Sequence, residues 1–416
     1  MRTLKVRLLV LAALFLLGLG ALACVHVRWL AAGPREPRFA AFMRRYARRE
    51  HNASVIPEHG KAIDRSGMPL ADIARPGTTF QRALDARALA DDGRPVKLSI
   101  DAALQVCAEG LLKGRTGAAV VLEPTTGRIR ALASVPRVDY LDRALDGLYP
   151  PGSTFKVFMA AAALSEGIDP VYDCPASGYR SAPSTPPIRD VEARQAERRG
   201  RTWKGFGRIG MATALMHSSN TYFARLGVEL GPEAFGRVVS RSRLREPVTV
   251  LPSGDVSLES AGNGVPDGLR APQLAPVSIG QGTLQLTPLA VAMFTAAVAD
   301  DGVLLGPTLL PEARPVLRAM PFTHEAAARV KKMMRTVVRR GTGRGCDIPG
   351  LDVCGKTGTA ETGKGRDHAW FTCFAPEQGP RLVVTVLVEH GGFGADAALP
   401  VAKGLLLKAK ELGYFE

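Results

Sequence analysis

Residues 149–156 read Tyr149-Pro150-Pro151-Gly152-Ser153-Thr154-Phe155-Lys156. Pro-Pro-Gly ends one element, and an apolar run from Ser153 to Glu166 begins another, closed by Gly167; the pattern predicts a helix. Ser153 and Lys156 stand at i and i+3, on one helix face. A serine hydroxyl is a poor nucleophile unless a base lies within reach, and a neutral lysine supplies one. The start of a helix adds backbone N–H groups suited to an oxyanion. The plain alternative is a capping serine beside a solvated lysine. With 17 Ser and 13 Lys in 416 residues, chance alone gives about half an S-x-x-K match, so the motif needs support from elsewhere.

Two further motifs lie downstream. Ser218-Ser219-Asn220 offers a hydroxyl and an amide two residues apart. In a turn both can face a cleft, where they would relay a proton and hold a substrate amide; a helix cap accounts for the same residues. Lys356-Thr357-Gly358-Thr359 follows a strand-like segment. On a strand Lys356 and Gly358 share one face, and Thr357 and Thr359 the other. Gly358 lets another backbone approach closely, and the lysine and a threonine hydroxyl suit a terminal carboxylate. The alternative is an exposed strand end. Gly350 to Thr357 also satisfies the phosphate-loop pattern G-x-x-x-x-G-K-[ST]. A phosphate loop must open a helix, and Gly358 to Gly365 is a turn sequence instead, so that reading is set aside.

Around these motifs the chain alternates between strand and helix signals. Val96 to Asp101 reads as a strand ending at the helix cap Asp101. Residues 117–122 and 128–134, joined by Pro124-Thr125-Thr126-Gly127, form a hairpin signature. A helical region spans about 210–231. Strands return at 351–359, 368–375 and 381–389, with a final helix near Leu399. Residues 181–187 are rich in Pro, Ser and Thr and 189–208 in Arg, which predicts an exposed loop. Strands at both ends with helices between them give an α+β fold with an antiparallel sheet.

The ordered triple S-x-x-K, S-x-N and K-T-G resembles the signature of the penicillin-recognising serine acyltransferases. The likeness extends to Tyr149 through Lys156, to Pro124-Thr125-Thr126-Gly127 with Ala131-Leu132-Ala133-Ser134, and to Ile279-Gly280-Gln281-Gly282 with Leu286-Thr287-Pro288-Leu289-Ala290. It continues through Gly355 to Glu361 and His368-Ala369-Trp370-Phe371. Ile63-Asp64-Arg65-Ser66-Gly67-Met68-Pro69-Leu70-Ala71 faintly resembles the pedestal motif of the class B penicillin-binding proteins, and with about 95 residues ahead of the acyltransferase region a class A glycosyltransferase domain is not expected. The resemblance implies an antiparallel sheet flanked by helices, with an all-α subdomain. It divides the chain into residues 1–33 (stub and anchor), 34–95 (short pedestal) and 96–416 (transpeptidase domain).

The same resemblance implies roles for the motif residues. Lys156 takes the proton of Ser153, which attacks the carbonyl of the penultimate D-Ala of a stem peptide. Backbone N–H groups of Ser153 and Thr359 hold the oxyanion. Ser218 passes a proton to the leaving D-Ala, Asn220 orients Lys156 and the substrate amide, Lys356 keeps the site positive, and Thr357 and Thr359 hold the terminal carboxylate. An amine of a neighbouring stem peptide completes the cross-link, and β-lactams acylate the same serine. No metal or organic cofactor is implied. The competing readings are a class D-like β-lactamase or β-lactam sensor, and a weakly catalytic scaffold acting on a SEDS-family glycan polymerase.

Composition and targeting agree with an exported enzyme. Residues 8–25 are almost wholly apolar, and Arg2, Lys5 and Arg7 precede them. Such a run can span a bilayer as a single-pass inner-membrane anchor, with the positive side cytoplasmic and the remainder extracytoplasmic; a cleaved signal peptide is the alternative. Residues 35–51 carry six Arg and two Glu, fitting either anionic lipid or a solvated stalk. The net charge of +15 comes with only 6% aromatic residues, which argues against a nucleic-acid binder. The exported cysteines, Cys107, Cys174, Cys346, Cys354 and Cys373, read as buried thiols, with Cys346 and Cys354 near enough in sequence to bridge.

Overall fold

A computed structural model of the chain describes residues 62–68, 70, 79–90, 94–136, 141–253, 256–363 and 365–416. The expected anchor at 8–25 and the basic stretch at 35–51 lie outside the described residues. Among the described residues, no helix is long and apolar enough to cross a membrane.

In chain order the strands are β1 Ala62–Ile63, β2 Val96–Lys97, β3 Gly117–Leu122, β4 Ile129–Val135, β5 Val171–Pro175, β6 Gly205–Gly210, β7 Thr249–Leu251, β8 Leu258–Glu259, β9 Leu304–Leu305, β10 Leu317–Ala319, β11 Cys354–Ala360, β12 His368–Ala375 and β13 Leu382–Val388. The helices are α1 Thr79–Ala90, α2 Ala102–Leu112, α3 Phe155–Ser165, α4 Val191–Arg198, α5 Met211–His217, α6 Asn220–Ser242, α7 Ala271–Ser278, α8 Pro288–Ala299, α9 His324–Arg340 and α10 Gly394–Glu411.

The central sheet has five strands in the order β11-β12-β13-β3-β4, with every neighbouring pair antiparallel. β13 (LVVTVLV) and β3 (GAAVVL) are buried along their whole length, because the sheet is covered on both faces. The pleat sorts their side chains into two cores. Val120, Leu122, Val383, Leu387, Trp370 and Phe374 join a core with α3 and α8. Ala119, Val121, Val384, Val386, Phe371 and Cys373 join a second core with α2 and α10. Helix α8 is buried on every side, as a helix apolar at every position but Thr295 must be. It starts at Pro288, and the Thr287 hydroxyl caps the amide of Ala290. Helices α3, α5, α6, α7 and α9 pack on one another beside the sheet.

Asp101 caps α2 as expected, accepting from Ala103 and Leu104. Asp64 closes a turn on Ser66 and Met68 and also accepts from Ala102, tying the segment after β1 to the start of α2. Several element boundaries differ from the expectations: the strand expected over Val96 to Asp101 is only Val96–Lys97, the strand expected from 351 begins at Cys354, and the α-helix expected from Ser153 begins at Phe155. The last helix starts at Gly394, before Leu399, and only a glycine fits there, because a Cβ would meet the carbonyl oxygens of Gly358 and Trp370. The helical region also runs on past Gly231: that residue leaves helical geometry (φ 77°) and Pro232 restarts the helix.

The exposed loop expected at 189–208 is corrected. Residues 191–198 form α4, Asp190 is buried, and β5 pairs with β6. Arg194 and Arg198 lie on the solvent side of this short helix, and Arg199 and Arg201 follow it in an exposed connection to β6. All five described cysteines are free thiols, so Cys346 and Cys354 do not bridge; all but Cys107 are buried.

Candidate functional site

Gly152–Thr154 forms a 3-10 turn that feeds directly into α3. This turn is held between two pieces of backbone. Gly152 donates its N–H to the Gly280 carbonyl at 2.9 Å. On the other side it lies so near β11 that a Cβ on Gly152 would stand 2.5 Å from the Thr359 carbonyl oxygen. Gly358 is also used for close approach: a Cβ there would stand 2.8 Å from the Thr154 methyl. The Trp370 indole donates to the Pro150 carbonyl at 3.0 Å, fastening the Pro-Pro-Gly segment to β12. Ser153 thereby lines a cleft of about 650 Å³ with Ser218, Asn220, Gln281, Thr357 and Thr359.

The middle motif bridges two helices. Ser218 ends α5 in left-handed geometry (φ 61°), a strained position for a residue with a side chain. Ser219 takes the capping role, accepting from the Tyr222 amide at 3.2 Å. Asn220 opens α6. The division of labour leaves Ser218 and Asn220 free to face the cleft.

Lys156 and Lys356 converge on this turn. Lys156 Nζ donates to Asn220 Oδ1 at 2.7 Å and to the Ser218 carbonyl at 2.6 Å, and lies 3.3 Å from Ser218 Oγ. Lys356 Nζ donates to the same Ser218 Oγ at 2.8 Å. Both lysines are fully buried. None of the Lys156 partners among the described residues is the Ser153 hydroxyl; such hydrogen bonds often close only when a substrate is bound.

Burial is the main influence on both amines. It brings Lys156 down to about 7, against the opposing pull of the Asp190 and Glu192 carboxylates. Lys356 is held well below the usual lysine range by burial and by the neighbouring Lys156. Two amines so close and so dry resist carrying two charges at once. Near neutral pH, Lys156 is therefore divided between a proton donor and a proton acceptor.

β11 is the edge strand of the sheet. Its Thr357 hydroxyl is 2.6 Å from that of Thr342. The Thr359 carbonyl accepts from Gln281 Nε2 at 3.4 Å, so it faces away from β12. In an antiparallel strand a residue's N–H and C=O share one side, so the Thr359 N–H faces the cleft edge as well.

The motifs alone did not mark three other residues here. Asp190 is buried beside Asn220, Glu192 is half-buried in the cleft wall, and Gln281 bridges to β11. Gln281 lay inside a segment the sequence had flagged. Asp190 and Glu192 were hidden in the Arg-rich stretch, where an acidic residue before an eight-residue helix is the available signal.

Residues 117–407 match the family described as penicillin binding protein transpeptidase domain. The chain is 30% identical over 343 residues to the peptidoglycan D,D-transpeptidase PbpA of Mycolicibacterium smegmatis, covering 71% of this chain and 67% of that protein. It is 30% identical over 386 residues to the peptidoglycan D,D-transpeptidase MrdA of Acinetobacter baumannii, spanning 77% of this chain and 55% of MrdA. Among solved structures, the D,D-transpeptidase domain of a peptidoglycan glycosyltransferase from Eggerthella lenta superposes with a TM-score of 0.74 at 26% identity, covering 85% of this chain and 98% of that one. The ceftriaxone acyl-enzyme complex of penicillin-binding protein A from M. tuberculosis superposes with a TM-score of 0.67 at 27% identity, covering 79% and 84%.

Proposed function

This chain belongs to the penicillin-binding protein transpeptidase family, and we propose that it is a peptidoglycan D,D-transpeptidase working through an acyl-enzyme at Ser153. The observation that carries the reading is the meeting of Lys156 and Lys356 at the Ser218 hydroxyl, beneath the cleft that Ser153 lines.

In this mechanism neutral Lys156 takes the Ser153 proton as Oγ attacks the carbonyl of the penultimate D-Ala. The carbonyl oxygen becomes an oxyanion between the N–H groups of Ser153 and Thr359. The C–N bond to the terminal D-Ala breaks, and its nitrogen takes a proton through Ser218, which Lys356 and Lys156 contact. Asn220 holds Lys156 in register, while Thr357 and Thr359 hold the terminal carboxylate. An amine from a second stem peptide then attacks the ester, forms the cross-linking amide and returns Ser153 to its hydroxyl form. Water in place of the amine gives carboxypeptidation. A β-lactam acylates Ser153 by opening its own strained amide.

The reading includes a single-pass anchor at residues 8–25, a pedestal at 34–95 and an extracytoplasmic transpeptidase domain at 96–416. The uncharged apolar run after Arg7 supports the anchor. A SEDS-family glycan polymerase is the membrane partner this arrangement calls for.

The test uses a soluble peptide ending in D-Ala-D-Ala with an added amino-acid acceptor, analysed by liquid chromatography and mass spectrometry. Released D-Ala and a new amide are expected from the native protein and neither from Ser153→Ala. Equal release by both proteins would overturn the proposal.

A further inference from the structure

Asp190 occupies the N-cap position of α4, yet its side chain makes no capping bond to that helix. It turns instead to the start of α6. Its Oδ1 accepts the amides of Asn220 and of Thr221, the latter at 3.1 Å. The adjoining Arg189 carbonyl accepts from Asn220 Nδ2 at 3.1 Å. Arg189–Asp190 therefore grips both the backbone and the amide of Asn220, leaving Asn220 Oδ1 aimed at Lys156 Nζ, 2.7 Å away.

The second carboxylate oxygen adds to this. Asp190 Oδ2 is buried and has no hydrogen-bond partner among the described residues, although the residue is only 1% exposed. A capping role alone uses one oxygen, and asparagine or serine would serve it as well. A buried carboxylate with a vacant oxygen is costly, so the charge itself needs a counterpart. The Lys156 amine, held by the same Asn220, feels this charge through space.

We propose that Asp190 is a positioning residue for the acylation step: it fixes Asn220, which holds the Lys156 amine, and its negative charge opposes the loss of the Lys156 proton that burial drives. The proposal rests on the reading of Lys156 as the base. The charged and polar groups facing Lys156 come from several elements: Asp190 and Glu192 at α4, Lys356 on β11, Ser218 after α5, and Asn220 and the Phe223 ring on α6. Cys174 on β5 also faces Asp190. Glu192 acts in the same direction as Asp190 but is shared with Lys356 and His217.

The experiment measures acylation of the full chain by a fluorescent penicillin from pH 5 to pH 9, alongside thermal unfolding. Asp190→Asn and Asp190→Ser keep an acceptor at the start of α6 and remove the charge. With less pull on its proton, Lys156 becomes neutral at lower pH, so the acid limb shifts down by about one unit. Asp190→Glu restores the charge, and its limb stays near that of the native protein. Should the Asn variant show no cooperative unfolding, the Ser variant supplies the uncharged arm. A limb that stays put or moves up in the uncharged variants, with only stability or overall rate reduced, overturns the inference and leaves the reading of the site intact. A native protein that forms no adduct at any pH removes both.

Discussion

Gly280 and Gly152 meet backbone to backbone: a Cβ on Gly280 would stand 1.9 Å from the Gly152 carbonyl oxygen, and Gly280 already has φ of +74°. The support segment thus presses on the turn that carries Ser153. Gly280→Ala adds left-handed strain and overpacking against rigid backbone, together about 2–5 kcal/mol. Thermal unfolding should drop accordingly, and penicillin acylation should fall at least about tenfold as Ser153 is displaced. An alanine variant with native stability and native acylation would contradict this account of the turn.

The protonation of Lys156 gives a pH prediction. Held near 7 in the folded protein, it is neutral above that value and charged below it. Acylation should therefore rise through about pH 7 and level off, and Lys156→Met should lower the plateau by about 10²–10⁴-fold. Stability follows the same shift. Between about 7 and the unfolded value of 10.5, the unfolded chain binds the extra proton, so this residue makes stability increase with pH across that window. Unfolding temperatures at pH 6 and pH 9 should show a smaller rise for Lys156→Met than for the native chain; identical slopes would contradict the assignment.

A ladder of hydroxyls crosses the core beside the site. Thr372 Oγ1 lies 2.8 Å from Thr295 Oγ1 and 2.7 Å from Thr385 Oγ1. Thr372→Val removes the middle rung and strands a buried partner, at a cost of about 1–3 kcal/mol. Replacing Thr295, Thr372 and Thr385 together by Val should recover part of that loss. Denaturant titration of the single and triple variants checks both statements.

At the mouth of the cleft, Arg194 on α4 pairs with Glu361 beyond β11 at 2.6 Å, with both side chains substantially exposed. An exposed pair of this kind contributes little, about 0–1 kcal/mol. Glu361→Gln should leave the unfolding midpoint nearly unchanged, and any native effect should fade with added salt. A loss of several kcal/mol would show that α4 depends on this link.

The parts of the site legible in the sequence are those written locally. Pro-Pro-Gly before Ser153, the Ser218 to Asn220 turn and the alternating strand around Lys356 each carry their own backbone signals. The hairpin of β3 and β4 was visible for the same reason. What joins them is not local: Lys356 reaches Ser218 across 138 residues, and spacing alone gives no distance. Asp190 was missed because arginines surround it and only Ala193 of α4 is buried, so the helix shows no apolar stripe. Its proposed role depends on Asn220, a partner 30 residues away. The close packing of Gly394, at the start of α10, against β11 and β12 was likewise invisible.

Ser153 is expected to become covalently acylated. Intact-mass spectrometry after incubation with penicillin, followed by peptide mapping, tests it most directly. One adduct of the antibiotic's mass is expected on the peptide containing Ser153, and none on Ser153→Ala. An unmodified native protein, or an adduct that persists in the alanine variant, would contradict it.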